Sequence, residues 1–142
     1  MNTNQQKPPS SFERIPPQNL EAEKSVLGGI MLDRDGMIKI ADIITSDDFY
    51  DFRHRLIYEA ILKLYQKNIS IDILTVSNVL DEAKSLEKAG GASYLAELAN
   101  AVPNSAHIAH YASIVRKKGT LRRLIQSASD ITQIAFAEEG EV

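Results

Sequence analysis

Apolar residues recur with helical spacing through most of the chain, and no strand-like alternation of useful length interrupts them. The clearest stretch is Leu56, Ile57, Ala60, Ile61, Leu64 and Tyr65, one wide stripe that ends near Asn68. Before it, LEAEKSVLGGIML predicts a first helix starting at Asn19, a capping residue type, with Glu21 and Glu23 complementing the positive end of its dipole. A short helix is expected over 36–44, apolar at Met37, Ile40, Ile43 and Ile44, and Ser46 is placed to cap a turn through Asp47, Asp48 and Phe49. Asp72 is the expected cap of a further helix with Val76, Val79, Leu80 and Ala83 on its apolar face. Gly90-Gly91 breaks the chain, and SYLAELANAV predicts another short helix that stops before Pro103.

Beyond Pro103, Asn104 or Ser105 starts a helix with Ile108, Tyr111, Ala112 and Val115 on one face. Gly119 is read as the left-handed residue that ends it, and Thr120 as the cap of a last helix carrying Leu121, Leu124, Ile125, Ala128, Ile131 and Ala135. A turn this short makes an antiparallel hairpin or one long kinked rod. The hairpin is the expectation adopted, so the fold class is all-α: a compact helical globule followed by a C-terminal antiparallel helical hairpin. The expected divisions are a flexible, proline-containing tail (1–17), a helical globule (18–102), the hairpin (103–138) and the start of a linker (139–142). Gly28-Gly29 costs the first helix roughly 1 kcal/mol per glycine relative to alanine, which points to close approach of a neighbouring helix, a ligand-hugging backbone being the alternative.

Composition narrows the chemistry. At 142 residues, 44% apolar and 25% charged, the chain suits one soluble domain with a real core. The absence of cysteine excludes disulfides, thiol catalysis and Cys-ligated zinc. No apolar run is long enough to span a membrane, and the polar N-terminus lacks a signal core, so a cytosolic location is expected. Phosphate-binding loops need glycine, and none of the seven glycines is followed by lysine, so a P-loop is missing. His107 and His110 could share a helical face, but no carboxylate lies between Leu98 and Ser129 to complete a metal site, and two polar surface residues are the plainer reading. No Ser/His/Asp arrangement stands out. The residues make no case for catalysis, a cofactor or a metal.

Charge is uneven. Arg116, Lys117, Lys118, Arg122 and Arg123 place five cations within eight residues, whereas residues 1–51 hold five basic and nine acidic groups. A basic knob suits phosphates or an acidic partner. Cations at a helix C-terminus and a solvated tip explain part of it, but Arg122 and Arg123 would sit where the next helix dipole disfavours them. A nucleic-acid-contacting module using 116–123 is therefore the alternative function. Single-strand binders usually add stacking aromatics, and Tyr111 is the sole aromatic between Leu98 and Ser129. A helix-turn-helix over 52–83 fails because its second helix offers Asp81 and Glu82 where DNA would lie.

The run RIPPQNLEAEKSVLGGIMLD (14–33) resembles the opening of the bacterial DnaB-type replicative DNA helicase. The likeness continues through DFYDFRHRLIYEAILKLY, IDILTVSNVL, GGASYLAELANAVPNSAHIAHYASIVRKK and LRRLI, in the same order, over roughly Arg14 to Ile134. The family's motor is a C-terminal RecA-like ATPase using ATP and Mg, and this sequence carries no such part, so the resemblance implies the non-catalytic N-terminal domain. It further implies a helical globule and hairpin, pairing of hairpins into a homo-oligomeric collar, docking of the C-terminal domain of primase, contact with a helicase loader, and DNA handling mainly by the ATPase domain at replication forks. Ile108, Tyr111, Val115, Leu121, Leu124 and Ala128 are the expected self-association residues, the last helix stepping by three and four as a coiled-coil seam does. Packing on the chain's own globule is the competing explanation of that stripe. Tyr94, Ile125 and Ile131 are the expected primase-docking residues, with core packing the alternative for Tyr94. The basic patch of Arg116, Lys117, Lys118, Arg122 and Arg123 ranks second.

Overall fold

The computed structural model describes residues 14–33, 35–101 and 106–140. Helix α1 (Leu20–Leu32) starts at Asn19, whose side chain accepts the Ala22 N–H at 3.0 Å. Its buried face, including Ala22, Val26, Leu27, Gly29 and Ile30, packs against four of the helices that follow it in the chain, making it the central element. Gly29 is there for proximity: a Cβ on it would lie 3.2 Å from Ile108 Cδ1, and one on Gly36 would meet the same methyl at 3.2 Å. The close-approach reading of the glycine pair thus holds at Gly29.

Helix α2 spans Gly36–Ile40 only, shorter than expected, and the chain turns through 41–43 before Ile44 enters the core. A 3-10 turn follows at Ser46–Asp48. Ser46 is its first residue rather than its cap; the turn is closed by the Thr45 N–H donating to Asp48 Oδ2 at 2.9 Å. Helix α3 (Phe52–Gln66) is capped by Asp51 and buries Ile57, Ala60, Ile61 and Leu64 as the periodicity requires, together with His54 and Tyr58. It ends where Asn68 takes a left-handed φ of 57°. In α4 (Ile73–Glu82), Asp72 accepts the Thr75 N–H and Thr75 Oγ1 accepts the Asp72 N–H, a reciprocal cap; Val76 and Leu80 are buried, whereas Ala83 is exposed. Gly90 and Gly91 both have positive φ and redirect the chain into α5 (Gly91–Ala101).

The described residues are helical or irregular throughout, as expected, but the hairpin is not formed: residues 108–140 make one helix, α6 (Ile108–Gly140), 33 residues and about 50 Å long. Gly119 lies inside it. A Cβ there would sit 2.5 Å from Asp48 Oδ1 and 2.8 Å from Asp48 Cα, so this glycine admits the 46–48 turn to the helix surface instead of ending the helix. The boundary expected near 103 also shifts, because Ile108, Ala112 and Val115 belong to the same core as α1. Residues 1–13 of the expected tail, Asn104 and Ser105 as helix starts, and residues 141–142 of the expected linker lie outside the described residues.

Candidate interaction surface

Helix α6 has two halves with opposite environments. In the first, Ile108, Ala112 and Val115 are fully buried, and Tyr111 and Ile114 pack against the core from its edge. In the second, Leu124, Ile125, Ile131, Ile134 and Phe136 are exposed, from 57% at Ile125 to 75% at Phe136. The 3.6-residue period aligns Leu124, Ala128, Ile131 and Ala135 along one line, with Ile125 and Phe136 beside it. An apolar helix face held in water is a surface for contact with another element.

This divides the expected self-association residues. Ile108 and Val115 are corrected to core positions, since a side chain with no accessible surface has nothing left to offer a second chain. Tyr111 and Leu121 are half-buried, and Leu124 and Ala128 are free. Among the expected docking residues Ile125 and Ile131 are exposed, but Tyr94 is buried at 7%. Its hydroxyl is engaged 2.6 Å from His54 Nε2, and the Arg53 guanidinium covers its ring at 4.1 Å.

That contact belongs to a buried polar cluster the periodicity did not reveal. His54 Nδ1 donates to Glu23 Oε1 at 2.8 Å, and its Nε2 shares a hydrogen bond with the Tyr94 hydroxyl at 2.6 Å. Glu23 also accepts the backbone N–H groups of Tyr50 at 2.8 Å and Asp51 at 3.2 Å. One carboxylate therefore serves α1, the entry to α3 and, through His54, α5. Burial raises the Tyr94 hydroxyl pKa, the Arg53 guanidinium pulling the other way. Arg53 is held above its ordinary value mainly by its hydrogen bond to Asp51. With Glu23 at 1% and His54 at 0% exposure, the pair is shut off from solvent and the cluster braces three helices. The available signal was polarity on an apolar face: Glu23 lies beside Ala22 and Val26, and His54 one turn before Ile57 and Tyr58.

The basic residues lie in mid-helix, not at a hairpin tip, and three of them are engaged. Arg122 donates to the carbonyls of Pro17 at 2.8 Å and Asp48 at 2.7 Å. Arg123 pairs with Asp48 Oδ1 at 2.8 Å, and Arg116 reaches the Ile43 carbonyl at 3.2 Å. Burial lowers the Arg122 pKa below the ordinary guanidinium value, against the pull of Glu23 and Asp48. Lys117 is exposed and Lys118 half-buried. His107 and His110 are exposed, and among the described residues no three metal-ligating side chains converge. A groove of about 500 Å³ lies between α3 and α4, lined in part by Lys63, Leu64, Lys67, Ile69 and Val79; none of its lining residues comes from α6. No helix among the described residues is long and apolar enough to cross a membrane.

Among the described residues, five α-helices, a 3-10 turn and the first half of α6 thus build an all-helical scaffold from which the rest of α6 projects an apolar face. Residues 15–117 match the family described as the DnaB-like helicase N terminal domain, and the chain belongs to that family. It is 42% identical over 130 residues to the replicative DNA helicase DnaB of Geobacillus stearothermophilus and 43% identical over 130 residues to the replicative DNA helicase DnaC of Bacillus subtilis, in each case covering 92% of this chain. It spans only 29% of the length of those relatives. The crystal structure of the N-terminal domain of DnaB helicase from Mycobacterium tuberculosis matches with a TM-score of 0.84 and 41% identity, over 87% of this chain and 85% of that one. A DnaB-like replicative helicase, described with its interactions with primase, matches with a TM-score of 0.74 and 26% identity over 84% of this chain and 28% of that one.

Proposed function

We propose that this chain is the non-catalytic assembly and docking domain of a replicative DNA helicase, joining copies of itself and receiving the C-terminal domain of primase through the projecting half of α6. The exposed apolar line of Leu124, Ala128 and Ile131, flanked by Ile125 and Phe136, carries the reading. Burying one leucine, isoleucine or phenylalanine is worth about 1.5–3 kcal/mol, so several such residues in one line can support an interface. The relatives' names and the described interactions of one structural neighbour with primase supply the partner class. ATP hydrolysis with Mg, DNA unwinding, any loader contact and a cytoplasmic place at replication forks belong to the proposed whole protein. This sequence carries no P-loop of its own, because no glycine precedes a lysine.

Sedimentation across a concentration series, with and without the C-terminal domain of the cognate primase, tests this. The expected result is a dimer or larger species and a primase complex, both weakened by Ile131→Asp. A strict monomer that ignores primase would refute the proposal. The nucleic-acid alternative rests on Lys117 and Lys118, since Arg116, Arg122 and Arg123 are engaged with Ile43, Pro17 and Asp48. It requires single-strand affinity that falls steeply with salt.

A further inference from the structure

The last buried side chain of the α6 apolar face is Val115, yet the helix stays attached to the globule as far as Arg123, eight residues and about 12 Å further on. Polar contacts dominate this stretch, beside half-buried Leu121, the close packing of Gly119 on Asp48 and the Arg122 guanidinium 5.6 Å from the Tyr50 ring centre. Asp48 is 3% exposed, its Oδ2 accepts the Thr45 N–H, and its Oδ1 has no aligned hydrogen bond, its charge being met by Arg123 Nη2 at 2.8 Å. Arg122 bridges the Asp48 and Pro17 carbonyls, tying the strand of chain before α1 to the same point. Gly119 lets the Asp48 backbone approach to a distance that any side chain would block.

We propose that Asp48, Gly119, Arg122 and Arg123 form a polar latch that sets the direction in which the second half of α6 leaves the globule. They are positioning residues. With the latch closed, the helix pivots beyond Arg123; with it open, the pivot retreats to Val115, and Leu124, Ile125 and Ile131 swing through a wide arc. A latch made of one ion pair and carbonyl contacts opens without uncovering the apolar side chains of Ile108, Ala112 and Val115, which are buried nearer the start of α6. That its direction matters for partners rests on the docking role proposed above; the latch itself does not.

The chain has no cysteine, so Glu59→Cys on α3 and Gln133→Cys on α6, both exposed positions, give two unique sites for nitroxide labels. Diluting the labelled chain with unlabelled chain confines the pulsed electron-resonance distance to one molecule. A single narrow distribution is expected for the parent and for Lys117→Ala. Arg123→Ala is expected to roughly double its width, Arg122→Ala/Arg123→Ala to widen it further, and Arg123→Lys to restore part of the narrowing. Gly119→Ala should shift the mean, because Asp48 Cα cannot yield as a side-chain tip would. Circular dichroism and thermal unfolding confirm that the globule persists in each variant; where the double variant fails to fold, the exposed single Arg123→Ala carries the test. An unchanged distribution in folded Arg123→Ala and Gly119→Ala chains overturns the latch. Loss of primase binding with the parent distribution intact overturns the docking reading alone.

Discussion

His54 Nδ1 lies 2.8 Å from Glu23 Oε1 with both side chains shut off from solvent, although 31 positions separate them in the chain. The pair joins α1 to α3 and hands the second ring nitrogen to Tyr94 on α5. Removing one member strands the other in the interior. Glu23→Ala and His54→Ala are each expected to cost about 3–5 kcal/mol in urea unfolding. Tyr94→Phe keeps the ring and loses one hydrogen bond, so about 0.5–1.5 kcal/mol is expected. A cost below that of Tyr94→Phe for either the Glu23 or the His54 variant would contradict the bracing role.

Two isoleucines on α6 should separate stability from association. Ile108 fills the space beside Gly29 and Gly36, so Ile108→Ala is expected to lose about 2–5 kcal/mol of folding free energy. Ile131 is 67% exposed, so Ile131→Asp should leave the single chain's unfolding midpoint nearly unchanged while weakening self-association. Equal losses of stability in both variants would show that α6 is covered along its whole length.

Gly29 and Gly119 both permit close approach, but their neighbours differ in compliance. Alanine at 29 would meet the tip of the Ile108 side chain at 3.2 Å; at 119 it would meet the Asp48 backbone at 2.8 Å. Gly119→Ala is therefore expected to be the more destabilising by about 1–3 kcal/mol, outweighing the gain in helix propensity of roughly 1 kcal/mol. Thermal unfolding of the two variants checks the ranking.

Two groups set opposite ends of the pH profile. Burial, with Asp48 nearby, pushes the Tyr58 hydroxyl up to about 12 while it donates to the Ile44 carbonyl. Its stabilising contribution is whole below the ordinary value of 10.0 and is lost as pH rises toward about 12, so Tyr58→Phe should flatten the alkaline arm of a stability curve. Burial tends to raise Asp51, but its side-chain and backbone hydrogen bonds from Arg53, with His54 and Arg53 charges beside it, prevail and lower it. That contribution is present above the ordinary value of 3.8 and lost as pH falls through the lower folded value, so Asp51→Asn should remove part of the acid-side slope.

The helices of the globule were legible because their signals are local. Asn19, Asp51 and Asp72 each serve as caps within three residues of themselves, two of them foreseen, and the α3 stripe needed only its own spacing to predict burial of Ile57, Ala60, Ile61 and Leu64. Gly119 departs from the helix-ending role its sequence suggests for a definite reason. A glycine that ends a helix and one that admits a neighbouring backbone look alike in one dimension, and the neighbour here is Asp48, 71 positions earlier in the chain. Tyr94 follows a chain break that could equally have turned it outward, and its burial depends on Arg53 and His54 from another helix.

Periodicity, caps and the ordered run of motifs were enough to specify an all-helical domain and its family, because each depends on residues within a few turns of one another. Which apolar residues of α6 face the core and which face water, and whether its arginines are free or engaged, depended on where the globule ends beneath the helix. The stripe itself is nearly continuous from Ile108 to Ala135, but its burial ends at Val115, and contact with the globule ends at the 46–48 turn beneath Gly119, Arg122 and Arg123.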